Sequence, residues 1–126
     1  MSDKVEYQLE FPVKSSPKIL YNFIATPSGL SEWFADNVNS RGTTYTFIWD
    51  GAEEVAELIS KKAGSFIKFK WEEEDDDTFF ELRIRIDDLT KDIALLVTDF
   101  ADEDEVEESK RLWESQVSEL MSVIGG

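Results

Sequence analysis

Asp99, Glu57 and Asp50 are the carboxylates this sequence places best for moving a proton, and Tyr45 is its best-placed donor hydroxyl. Asp99 continues an alternation with Val97 and Leu95. A carboxyl drawn toward such an apolar face has its pKa raised and becomes useful in acid–base chemistry. None of these groups, however, has a second partner at a defined spacing. The chain also has no histidine and no cysteine, which removes imidazole bases, thiolate nucleophiles, disulfides and the usual zinc sets. No catalytic residue and no cofactor is therefore assigned. The two acid-rich stretches, Glu72–Asp77 and Asp99–Glu108, hold 13 of the 28 acids and offer oxygen ligands for calcium. Both lack the glycine and terminal glutamate spacing of an EF-hand loop. They read as a solvated loop and an acidic helix start, and no metal is assigned.

The aromatic side chains are the stronger signal. Aromatics make up 13% of the chain, with four tryptophans. Tyr45, Phe47, Trp49, Phe69, Trp71 and Leu82 alternate along strand-like segments, and Trp113, Val117 and Leu120 share a helical stripe. Together they outline a space between sheet and helix, with Trp33 and Phe34 at its mouth. Large rings with a few polar tips suit a small, largely apolar ligand held by one or two hydrogen bonds. The same residues would equally serve as the packed interior of a 126-residue chain, and both readings stand at this level.

The elements that would position them follow from periodicity. Val5, Tyr7, Leu9, Phe11 and Val13 alternate with polar residues and Pro12, giving a strand whose end lies at a sheet edge. Ser16-Pro17 and Thr26-Pro27 each set an N-cap hydroxyl before a proline, starting two short helices. The first would bury Ile19, Leu20, Phe23 and Ile24; the second carries Leu30, Trp33 and Phe34. Strands follow over 44–50, 53–60, 66–71, 79–87 and 92–100, with an extra short one near 38–40 and a hairpin at Asp50-Gly51. In 53–60 the alternation of Val55, Ala56, Leu58 and Ile59 is muddled, and the inward face is undecided. From Asp102 the period becomes helical through Val106, Trp113, Val117, Leu120, Met121 and Ile124. Asp102 or Asp104 would cap this helix, and Gly125-Gly126 would end it. An antiparallel sheet with one apolar face needs such a helix to cover it. The fold class is therefore α+β: a helix-grip, with a curved sheet around a long C-terminal helix and two short helices after the first strand. Residues 1–126 form a single domain in this reading.

Charge narrows the partners. Twenty-eight acids against 13 bases give −15, a field that repels nucleic acid and anionic membrane surfaces. No signal-peptide pattern opens the sequence, and no apolar run reaches the about 18 residues of a membrane span. A cytoplasmic protein is expected. Lys68, Lys70, Arg83 and Arg85 should share the outer sheet face, where Glu81 and the acidic loop would neutralise them.

The stretch from Ser16 to Phe34, with its proline-led helix, Thr26-Pro27 break, Leu30 and Trp33-Phe34 pair, resembles the opening of the START-like (SRPBCC) helix-grip superfamily. It is most similar to the branch named after the activator of heat-shock-protein-90 ATPase. Trp113, Val117 and Leu120 match that branch's C-terminal helix pattern, while Leu112 stands where the branch has glycine and the 72–77 loop is unusually acidic. The aromatic set and the absence of a defined proton-transfer pair, taken with this resemblance, point to a binding domain without enzymatic chemistry, holding a small hydrophobic molecule. The alternative the resemblance implies is a chaperone-cofactor-like module with a filled core that engages a protein partner. A cyclase- or hydrolase-type enzyme is the third.

Overall fold

The computed structural model describes residues 4–73 and 77–124. Met1 to Asp3, the middle of the acidic run (Glu74, Asp75, Asp76) and the Gly125-Gly126 stop lie outside the described residues. The chain runs through β1 (Lys4–Val13), α1 (Pro17–Ala25), α2 (Pro27–Trp33), β2 (Asn37–Arg41), β3 (Thr44–Trp49), β4 (Ala52–Lys62), β5 (Phe66–Trp71), β6 (Phe80–Ile86), β7 (Ile93–Asp102), a 3-10 turn at Glu103–Glu105, and α3 (Val106–Ile124). The strands form one antiparallel sheet in the order β1-β7-β6-β5-β4-β3-β2. The α1–α2 pair carries the chain from one edge strand to the other. β1 lies at an edge, where the missing N–H of Pro12 costs no ladder bond. This is the α+β helix-grip.

Local chemistry explains the corners. Ile19 N–H donates to Ser16 Oγ (3.1 Å) and Gly29 N–H to Thr26 Oγ1 (2.9 Å), so both hydroxyls cap their helices. Gly29 also lets α2 sit on α1: a Cβ there would lie 2.1 Å from the Asn22 carbonyl oxygen. Asp50 and Gly51 both have positive φ (50° and 81°), which a two-residue hairpin following the sheet's twist requires.

Two details differ from the sequence expectation, and one that it left open is settled. Ile19 is 49% exposed, because α1 turns only Leu20, Ile24 and Ala25 fully inward. Asp102 occupies the cap position of the 3-10 turn but makes no side-chain cap bond, and its Oδ1 is buried without a partner. The muddled alternation of β4 comes from a bulge between Leu58 and Ser60. Before the bulge Glu54, Ala56 and Leu58 share the inward face with Phe47 and Phe69; Ile59 is the extra, exposed residue.

The inward face is closed by aromatics. Tyr45, Phe47, Phe69, Phe80, Leu82, Leu95 and Val97 are buried beneath Trp113, Val117 and Leu120 of α3. Outside, Arg83 pairs with Glu81 (2.7 Å) and Arg85 with Glu10 (2.8 Å), while Lys68 lies over the Phe79 ring (3.8 Å). The outer cations are thus engaged within the chain.

Candidate tryptophan-lined groove

Phe34 decides what space the fold keeps. It follows α2 and drives its ring between the sheet and α3, with centroids 5.2–5.7 Å from Trp33, Phe47, Trp49, Phe80 and Trp113. Its carbonyl, left over at the helix end, accepts from Trp49 Nε1 (2.8 Å) and Gln116 Nε2 (2.9 Å). The two bonds tie β3 and α3 to the end of α2. With the ring in place, the space under α3 is packed. What remains is a groove of about 920 Å³ at the mouth, bounded by α2, the ends of β3, β4 and β5, and α3.

Trp33, Phe34, Trp49, Trp71 and Trp113 line this groove, so all four tryptophans of the sequence meet there. Tyr45, Phe47, Phe69, Leu82, Val117 and Leu120 lie deeper, as buried core residues outside the groove wall. The structure therefore divides the eleven expected contact residues between a rim and a packed interior. Asn37, Asn39 and Arg41 belong to edge strand β2 and do not line it.

The indoles are held in defined orientations. Trp33 Nε1 donates to the Phe23 carbonyl (2.8 Å), Trp49 Nε1 to that of Phe34, and Trp113 Nε1 to Asp99 Oδ2 (2.8 Å). Trp71 Nε1 has no protein acceptor among the described residues. Its ring lies 6.1 Å from that of Trp49, and both remain partly exposed.

At the inner end of the groove sits a polar cluster. Asp99 also accepts from the Phe100 N–H (2.7 Å) and, weakly, from the Tyr7 hydroxyl (3.4 Å), and Tyr7 in turn bonds Ser109 Oγ. Burial pushes the Asp99 carboxyl above the ordinary aspartate range, outweighing the hydrogen bonds from Trp113, Phe100 and Tyr7 that pull it down. Burial likewise raises the Tyr7 phenol to about 12. Asp99 thus anchors the Trp113 indole from below. Glu57 faces the other way and accepts from Thr44 (2.6 Å) and Thr43 (3.1 Å). Asp50 stands in the β3–β4 turn, and Tyr45 reaches only the Ala25 carbonyl, at 3.5 Å. These candidate proton carriers do not converge on one point.

Of the rim acids beside Asp99, only Glu73 stood out in the sequence, as part of the acidic 72–77 stretch. Glu32, Asp36, Glu54, Glu73 and Glu119 border the groove beside Asp99. The two-residue Asp50-Gly51 turn pairs Glu54 with Phe47 and so sets it on the inward face, a signal the sequence carries.

A START-like superfamily domain model matches residues 1–126. A Bacteroides fragilis protein solved in solution by NMR is 38% identical, with 98% of this chain and 92% of that one aligned and a TM-score of 0.69. At the level of fold alone, the Aha1 dimer of Colwellia psychrerythraea (14% identity, 95% and 96% covered, TM-score 0.78) and XoxI of Bacillus cereus (10% identity, 94% of each chain, TM-score 0.79) are also similar. No curated protein matches the chain.

Proposed function

The chain belongs to the START-like superfamily, and on that premise we propose that it works as one binding domain whose small, largely apolar ligand occupies the tryptophan-lined groove. The observation that carries this reading is the convergence of all four indoles on one opening of about 920 Å³, within the size range of pockets that enclose drug-sized molecules. Three of the four indole N–H groups are already satisfied by the protein. The walls therefore offer ring faces, with the Trp71 N–H, Ser109 and Gln116 as polar handles. The ligand seat lies at the mouth, since the residues deeper under α3 pack against one another. No reacting group is needed for such a role.

Native mass spectrometry tests it, with a denatured control and a Trp49→Ala/Trp71→Ala double variant. A non-covalent mass retained by the folded wild type and lost in the variant supports the groove. A clean mass on both would favour the second reading, a protein-interaction module. That reading draws on the packed interior and on Leu112, 61% exposed at the groove's rim.

A further inference from the structure

We propose that the ligand of this groove is an organic cation: an amine or quaternary ammonium group carried on an apolar body. The inference rests on the groove being the binding site and specifies the chemistry it selects.

Two independent features of the wall point the same way. The first is its charge. Six acidic side chains line the groove, Glu32, Asp36, Glu54, Glu73, Asp99 and Glu119. No lysine or arginine lines it among the described residues, although the chain has 13. Asp99 is occupied by its three donors and Asp36 accepts from the Asp50 N–H (2.8 Å). The other four make no ion pair among the described residues. An anionic ligand such as a fatty acid or a nucleotide would meet uncompensated repulsion here.

The second feature is the aromatic wall itself. Ring faces are negative at their centres, so a cation placed against them gains an attraction that a neutral group of the same shape does not. Trp49 and Trp71, the two partly exposed indoles, stand 6.1 Å apart on adjoining parts of the concave face. Glu54 lies between them by register. It sits two residues from Ala52, which faces Trp49, and two from Ala56, which faces Trp71. An apolar residue at position 54 would have continued the inward pattern of Ala56 and Leu58. A carboxylate there instead adds a counter-charge beside two ring faces. Neutral apolar ligands draw on the rings alone, whereas a cation draws on rings and carboxylates together.

The test follows the indole N–H signals by two-dimensional NMR during titration with three probes of one size. These are 2-phenylethylammonium, neutral 2-phenylethanol and anionic phenylacetate. The cation should shift the signals with an affinity about tenfold or more above the alcohol's, the scale a cation–aromatic contact with nearby carboxylates supports. Phenylacetate should bind more weakly than either. Added sodium chloride should weaken the amine far more than the alcohol, and Glu54→Gln should bring the amine several-fold closer to the alcohol. Because Glu54 is exposed, that variant tests charge without disturbing the packed interior. Equal affinity for amine and alcohol, or tighter binding of phenylacetate, overturns the cation inference while leaving the groove as a binding site. If no probe moves any indole signal, the groove reading and the inference fall together.

Discussion

Replacing Phe34 by alanine asks whether the space under the C-terminal helix is full because this one ring fills it. The side chain is 4% exposed and touches five other rings. Its two structural hydrogen bonds are made by the main-chain carbonyl and survive the substitution. The perturbation is therefore confined to the ring. Buried Phe→Ala changes cost about 3–5 kcal/mol, the upper end applying when the hole stays closed and empty. Phe34 also borders the groove, so the space it vacates opens to water and the lower end applies. We expect a loss of about 3 kcal/mol, a fall in Tm of about 10 °C for a chain of this length. Urea unfolding followed by far-ultraviolet circular dichroism gives the number without relying on the tryptophans, whose surroundings change directly. Phe34→Leu, which keeps most of the volume, should lose about 1–2 kcal/mol. The alanine variant should also bind a neutral apolar dye that the wild type takes up weakly. A loss below about 1 kcal/mol with no gain in dye binding would refute the reasoning, because the α2 end would then not be what packs sheet against helix.

Gly29→Ala should cost about 2 kcal/mol or more in urea unfolding, since its methyl would meet backbone atoms of Asn22 and Phe23 that cannot yield without parting α1 from α2; a loss within error would show that the helices can separate freely. Burial raises the Asp99 carboxyl, so the folded chain holds that proton more tightly than the unfolded chain. Its stabilising effect is complete below the ordinary aspartate range and is lost as pH rises through the raised folded value. Asp99→Asn should flatten stability across that window, and unchanged pH dependence would count against a desolvated carboxyl. The Tyr7 phenol, raised from 10.0 to about 12 by burial, makes stability fall as pH climbs through that interval. Tyr7→Phe should remove this component from an alkaline absorbance titration, and a phenol ionising near 10.0 would contradict it. Lys91 adopts φ 65°, so Lys91→Gly should leave stability unchanged or raise it by about 1 kcal/mol, and a marked loss in thermal unfolding would mean its side chain makes contacts that offset the strain.

Most of the architecture was legible because this chain states its elements in strong local chemistry. The Ser16-Pro17 and Thr26-Pro27 starts, the Asp50-Gly51 turn and the alternation of Tyr45, Phe47 and Trp49 each act within a few residues. What local pattern cannot reveal is an irregularity whose cause lies on the neighbouring strand. The β4 bulge is defined only against β5, by Leu58 facing Phe69 while Ser60 faces Lys68. That bulge turns Leu58 inward and leaves Ile59 outside, which is why the pattern of β4 is muddled in the sequence. The division of the aromatic set was hidden for a related reason. Phe47 and Trp49 lie two residues apart on one face, and alternation is blind to position along the strand. Phe47, in mid-strand, is enclosed by Tyr45, Phe69, Trp71 and Phe80 as well as Phe34, whereas Trp49 ends β3 at the groove and stays partly exposed. Asp102 shows the limit of cap rules, since it holds the position without the bond.

The placement of the groove at the rim follows from size. A closed, dry cavity costs about 24 cal/mol per Å³. At 920 Å³ that would come to about 22 kcal/mol, more than the about 5–15 kcal/mol by which a whole domain is stable. A chain of 126 residues with an empty interior of that volume would not stay folded without its ligand. Packing the interior through Phe34 and leaving the opening wet at the mouth removes the penalty. It also permits what a closed apolar cavity would forbid, carboxylates standing among tryptophans with water to solvate them until a ligand arrives. The packed interior and the acidic groove are thus two consequences of one constraint. Moving the space inward, as Phe34→Ala begins to do, should trade stability for apolar volume that Glu54 can no longer reach.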